Sequence, residues 1–131
     1  MPGAGAAGGL GGALKAFLKA EISGGADMVL DAVHFDDAIK DADLVITGEG
    51  RIDSQTLTGK LPYVVARRAA LQNIPVVALC GCAQVSELPC FERIIQITPP
   101  DMPLEKAMSP EVSSSAICKL AKLALDVFDS L

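Results

Sequence analysis

The densest collection of chemically capable side chains lies between residues 48 and 60. Glu49, Arg51, Asp53, Ser54, Gln55, Thr56, Thr58 and Lys60 stand among three glycines, directly after the apolar run Leu44-Val45-Ile46. In an open α/β sheet, ligands bind beyond the carboxyl ends of the strands, and this stretch falls there. Its composition suits an anion with its counter-cation: backbone N–H groups, Arg and Lys hold phosphate, while carboxylate oxygens hold Mg²⁺. The plainer reading is that Arg51 and Asp53 form an ion pair that steadies a loop, with Thr56 and Thr58 making turn hydrogen bonds. Lys60 shifts the balance towards a ligand. A cation at a helix N-terminus opposes the helix dipole at a cost of about 0.3–1 kcal/mol, unless an anion sits between them. Gly59-Lys60 is not a Walker A loop, because Leu61 stands where Ser or Thr is required and no glycine lies five residues before Gly59.

A second motif opens the chain. Six of the first twelve residues are glycine, and Gly3-Ala-Gly5-Ala-Ala-Gly8 matches the dinucleotide fingerprint in form. Asp31 falls near the end of the next predicted strand, about where a ribose-binding acid belongs. The fingerprint needs a strand in front of it, and only Met1 and Pro2 precede Gly3. Two readings therefore stand: a nicotinamide-dinucleotide fold, or an anion held on the free amides before a helix at 10–22. The lone His34 reads as a surface or capping residue, and Asp36, Asp37, Asp41 and Asp43 as a solvated face. Cys80, Cys82 and Cys90 make a poor zinc set, since the only histidine lies far upstream and there is no second Cys pair. With Cys118 they are read as reduced thiols.

These residues need elements to position them. Leu10, Leu14, Phe17, Leu18 and Ile22 share one face of a helix at 10–22, stopped by Gly24-Gly25. Residues 28–33 read as a strand, 35–42 as a short helix and 43–47 as a strand. A helix follows at 61–72 with Pro62 in its first turn, then strands at 74–80 and 93–98. Pro99, Pro100 and Pro103 break the chain. Ser109-Pro110-Glu111 supplies a cap, an N1 proline and an acid to start the last helix, with Ile117, Leu120, Ala121, Ala124, Leu125 and Phe128 inward and Lys119, Lys122, Asp126 and Asp129 in water. Strands alternating with helices predict a single α/β domain over 1–131, with a mostly parallel sheet of about four strands flanked by helices.

The bulk composition agrees. Half of the 131 residues are apolar, with no Trp, one Tyr and four Phe, so the core is aliphatic, as in a parallel sheet covered on both faces. The net charge of −5 and the lack of a basic stripe with aromatics argue against nucleic acid. No apolar run is long enough for a membrane span and no signal peptide is visible, which predicts a cytoplasmic protein. A mean hydropathy of +0.40 and a start at a loop-to-helix junction suggest a piece of a longer chain, with apolar surfaces for another part to cover.

The run Asp43-Leu-Val-Ile-Thr-Gly-Glu-Gly-Arg-Ile-Asp53, with Gln55-Thr56 and Gly59-Lys60, resembles the bacterial type 1 glycerate kinase family. The opening Pro2-Gly-Ala-Gly-Ala-Ala-Gly-Gly-Leu-Gly11 resembles that family's glycine-rich segment, at the family's separation. The likeness extends over essentially the whole chain, weakening after about Cys82. It implies ATP- and Mg²⁺-dependent phosphorylation of D-glycerate to a phosphoglycerate, in a cleft between two α/β domains. This chain would be the C-terminal portion of such a two-domain kinase, contributing to its Rossmann-like part and inactive alone. The resemblance implies catalytic roles for Asp53 and Arg51, Mg²⁺ at Glu49, and nucleotide or anion contacts at Gly3, Gly5, Gly8 and Lys60. The partners expected are glycerate and a nucleotide, with self-association through surfaces that the rest of the kinase would cover. The alternatives are the nicotinamide-binding domain and a non-catalytic interaction fragment.

Overall fold

The computed structural model describes residues 3–128. Three parallel strands, β1 (Val45–Ile52), β2 (Val76–Ala83) and β3 (Arg93–Gln96), form a sheet in the order β1-β2-β3. Val45 pairs with Val76, Glu49 with Cys80 and Arg51 with Cys82, and Leu79 pairs with Ile95. The α-helices are α1 (Leu10–Leu18), α2 (Gly25–Ala32), α3 (Phe35–Ala38), α4 (Leu61–Ala70), α5 (Leu104–Ala107) and α6 (Pro110–Phe128). The α/β architecture is as the sequence predicts.

The strands are filled by the aliphatic runs. Val76, Val77, Ala78 and Cys80 are at most 1% exposed. Burying a valine fully contributes about 1.5–3 kcal/mol. Side chains alternate across the sheet. On one face Val45 and Val76 pack with Val64, Val65, Ala66 and Ala69 of α4 and with Leu30 of α2. On the other, Val77, Leu79 and Ile95 pack with Ala124 and Leu120 of α6. Arg68 of α4 fastens the first of these layers. Its guanidinium donates to Asp31 and Asp36, each at 2.6 Å, while Arg67 donates to Asp27 at 2.9 Å. The Arg68 hydrogen bonds hold the Asp36 carboxyl below its ordinary range and push the guanidinium pKa upward.

Several boundaries differ from those predicted. Residues 28–33 are not a strand: 28–32 complete α2, burying Leu30 and turning Asp31 towards Arg68, and Val33 is its C-cap. So short a stretch of mostly apolar residues does not fix its own period, and the contacts of Leu30 and Asp31 with α4 decide it. Among the described residues the sheet therefore has three strands. Helix α1 ends at Leu18, where Lys19 turns left-handed (φ 53°), and the Gly24-Gly25 pair begins α2 instead of ending α1. β1 runs on to Ile52, so Glu49 and Arg51 are strand residues rather than loop residues. In α6, Ala124 is fully buried, but Ile117 and Leu125 are 44% and 54% exposed. Asp126 and Phe128 have side chains outside the described residues, as does Asp129 entirely. The apolar side of α1 is open, with Phe17 85% and Leu18 71% exposed. Among the described residues no helix is long and apolar enough to cross a membrane.

Candidate functional site

Four of the predicted site residues converge where β1 ends. Glu49 and Arg51 sit on its last turns of pleat, Asp53 follows it, and the 3₁₀ segment Ser54–Thr58 returns the chain to Lys60, the N-cap of α4. The return depends on Gly59, whose φ of 104° is a left-handed conformation that residues with a Cβ seldom adopt. Asp53 caps the segment: its Oδ1 accepts from the Gln55 N–H at 2.9 Å, and its own N–H donates to Thr56 Oγ1 at 3.2 Å.

Thr56 is the hub. It is 0% exposed, the one buried polar side chain among the described residues, and its hydroxyl donates to Glu49 Oε1 at 3.0 Å. A single hydroxyl thus fixes the Glu49 carboxylate and the Asp53 backbone together. Lys60 Nζ lies between the two carboxylates, 3.4 Å from Asp53 Oδ1 and 4.0 Å from Glu49 Oε2, and Arg51 Nε is 3.6 Å from Asp53 Oδ2. Glu49 and Asp53 side chains are 19% and 17% exposed, Lys60 36% and Arg51 58%. The Arg51–Asp53 pair and the Thr58 hydroxyl on Gln55 O (2.6 Å) are the structural contacts of the plainer reading. They coexist with an accessible cluster of two acids and two bases.

Asp31, the candidate ribose acid of a dinucleotide site, lies in α2 and is paired with Arg68. It does not end a strand, so that arrangement is not formed. Gly3, Gly5 and Gly8 lie in the turn before α1, where Gly12 N already donates to Ala4 O. No hydrogen bond or ion pair of the described residues joins them to the Glu49–Lys60 cluster.

Sequence reasoning missed a cavity of about 450 Å³ beside the cluster. Glu49 forms part of its wall, with Gly50, Gly81, Gln96, Thr98 and Met108 among the other residues. The signal for it was the carboxyl end of β2, which follows the same rule that singled out β1. A larger depression of about 870 Å³ lies at the amino ends of the strands, around Lys40, Asp43 and Glu92. It lacks the clustered carboxylates and cations, and the opposite edge is where α/β sheets place ligands. Cys80, at the centre of the sheet, is buried, and its thiol donates to Ile95 O at 3.7 Å. Burial pushes its pKa up to about 11.

The donor set fits a nucleotide-borne Mg²⁺. Such an ion takes one or two protein carboxylates and completes its shell with phosphate oxygens and water. Glu49 and Asp53 offer that number, and no group of three or more His, Cys, Asp or Glu among the described residues forms a closed cage.

Comparison with known proteins decides the family. The sequence profile of the glycerate kinase family matches residues 1–128. The chain belongs to the glycerate kinase family. It is 47% identical over 112 residues to a glycerate kinase of Halalkalibacterium halodurans, covering 82% of this chain and 30% of that relative. With a glycerate 2-kinase of Escherichia coli it shares 52% identity over 81 residues, 62% of this chain and 21% of the other. A crystal structure assigned as glycerate kinase 2 of Salmonella typhimurium LT2 superposes with a TM-score of 0.70 at 37% identity, covering 98% of this chain and 34% of that one. The chain thus matches about a fifth to a third of the length of these family members.

Proposed function

We propose that this chain supplies one wall of a site that transfers the γ-phosphoryl group of ATP to a hydroxyl of D-glycerate, giving a phosphoglycerate and ADP in the cytoplasm. The observation that carries the reading is the convergence of Glu49, Arg51, Asp53 and Lys60 around the buried Thr56 hydroxyl, with each carboxylate within 4.0 Å of a cation. Phosphoryl transfer asks for positioning and charge neutralisation more than for covalent chemistry. Asp53 orients the glycerate hydroxyl and accepts its proton as the oxygen attacks phosphorus. Arg51 and Lys60 neutralise phosphate or the glycerate carboxylate. Glu49 would hold Mg²⁺ directly or through water. A metal bound with the nucleotide would offset phosphate negative charge. The amides around Gly3, Gly5 and Gly8 hold an anion of substrate or nucleotide.

The opposite wall comes from the remainder of a longer two-domain kinase in which this chain is the C-terminal portion. The open apolar side of α1 is a surface that this remainder covers; failing that, it is where two copies associate. The test is a chimera in which residues 1–128 replace the matching segment of the H. halodurans glycerate kinase. Production of a phosphoglycerate from ATP and D-glycerate, read by ³¹P NMR, is the expected result. A folded chimera that binds neither substrate would overturn the proposal. The isolated chain is expected to give little or no turnover in the same assay.

A further inference from the structure

The side of the sheet that faces α6 changes character towards its carboxyl end. Val77 and Leu79 of β2 face α6 and are covered by it, and Ile46 and Gly48 of β1 pair with them. Continuing the alternation by two residues brings Gly50 and Gly81 to this face. Both lie in the wall of the 450 Å³ cavity, so its floor there is bare backbone. Gly81 has an internal reason to be glycine, because a Cβ on it would stand 2.7 Å from Gly50 O. Gly50 has none: a Cβ there would meet nothing within 4 Å, and it has no left-handed φ. A glycine weakens a strand, and one that its own chain does not require marks a place where something else approaches the backbone. Across from this floor, Leu104 and Met108 present apolar side chains that are 73% and 71% exposed. Gln96 is locked, accepting from Ala83 N at 2.9 Å and donating to Thr98 O at 2.6 Å, so the side wall is rigid.

A flat floor, an apolar opposite wall and a volume in the usual range for organic ligands suit a planar ring system. Glycerate, a small charged hydroxy acid, would fill only a fraction of the space and would satisfy none of the apolar wall. Glu49 contributes to the cavity wall, while its carboxylate, on the other face of the strand, meets Thr56 and Lys60, so a ligand in the cavity reaches the cluster over the carboxyl edge of the sheet. We propose that the cavity holds the base and ribose of the nucleotide, flat against Gly50 and Gly81 and under Met108, with its phosphates running past Glu49 to Lys60 and Arg51. The assignment rests on the phosphoryl-transfer reading for the position of the phosphates, while the base site stands on the cavity itself.

Amide NMR of the full 131-residue chain, titrated separately with adenosine, ATP and D-glycerate, tests it. Adenosine is expected to shift the amides of Gly50, Gly81 and Thr98, and ATP to shift these together with Arg51 and Lys60. The G50V variant is expected to keep the wild-type melting temperature and to weaken adenosine binding at least about tenfold. Ala107→Trp, which fills the cavity from α5, gives the same loss if the strand variant misfolds. If ATP moves Arg51 and Lys60 but adenosine leaves Gly50 and Gly81 unmoved, the base site is wrong and the phosphoryl-transfer reading survives. If adenosine moves the cavity amides but ATP leaves Arg51 and Lys60 unmoved, the base site survives and that reading falls. A cavity that responds only to glycerate, or to none of the three, overturns the assignment.

Discussion

Replacing Thr56 with valine removes one hydroxyl and changes almost nothing in shape. That oxygen donates to Glu49 Oε1 at 3.0 Å and accepts from the Asp53 N–H at 3.2 Å, and the residue is fully buried. The substitution therefore deletes a hydrogen bond to a carboxylate and leaves a backbone donor without a partner. Each loss alone costs about 1–3 kcal/mol. Glu49 remains 19% exposed and can recover part of its loss from water, so a combined cost of about 2–3 kcal/mol is expected. In a domain of this size that lowers Tm by roughly 6–12 °C. Thr56→Ser restores the hydroxyl and should recover most of the difference, leaving only the missing methyl. Differential scanning calorimetry of the three proteins reads the effect. If Thr56→Val melts within roughly 1 °C of the parent, the hydroxyl is not the hub of the turn.

Three other outcomes follow from the same geometry. Cys82, Cys90 and Cys118 are exposed and Cys80 is buried, so a thiol reagent should titrate three groups rapidly and the fourth only on unfolding; four fast thiols would contradict the packing of β2. Because the Cys80 pKa is raised by burial from 9.0 to about 11, the unfolded chain releases this proton first, and stability should fall as pH rises through that interval; Cys80→Ala should remove this dependence, measured by urea titration. Arg68→Met should loosen α2 and α3 from α4, seen as faster amide exchange there. Since Asp36 is held below its ordinary value of 3.8 by Arg68, its contribution is present above that pH and is lost as pH falls through the lowered value, so parent and variant should converge in acid and in high salt.

How much was legible in the sequence varies along the chain, for physical reasons. The run 44–46 is too apolar and β-branched to lie outside a sheet, and β1 was found. Its far end was read as loop because Glu49, Gly50 and Arg51 resemble turn residues; what holds them extended is pairing with Cys80 and Cys82, which a local pattern does not contain. The segment 28–33 was misread because α2 gains its stability from Leu30 in the core and Asp31 on Arg68, both contacts with α4 some 40 residues away in sequence. The cluster itself was legible, since Glu49, Arg51, Asp53 and Lys60 are near neighbours in sequence. The adjoining cavity was not, because its walls come from β1, β2, the stretch after β3, α5 and α6, which only folding brings together.

The central claim is that the carboxyl end of β1 is shaped to move a phosphoryl group, with Asp53 at the attacking hydroxyl. Asp53→Asn tests it most directly, because asparagine keeps an oxygen to accept from the Gln55 N–H and the cap can survive. In the chimera with the H. halodurans kinase, kcat should fall by about 10²-fold or more, with Tm close to that of the unsubstituted chimera. An unchanged kcat would contradict the account.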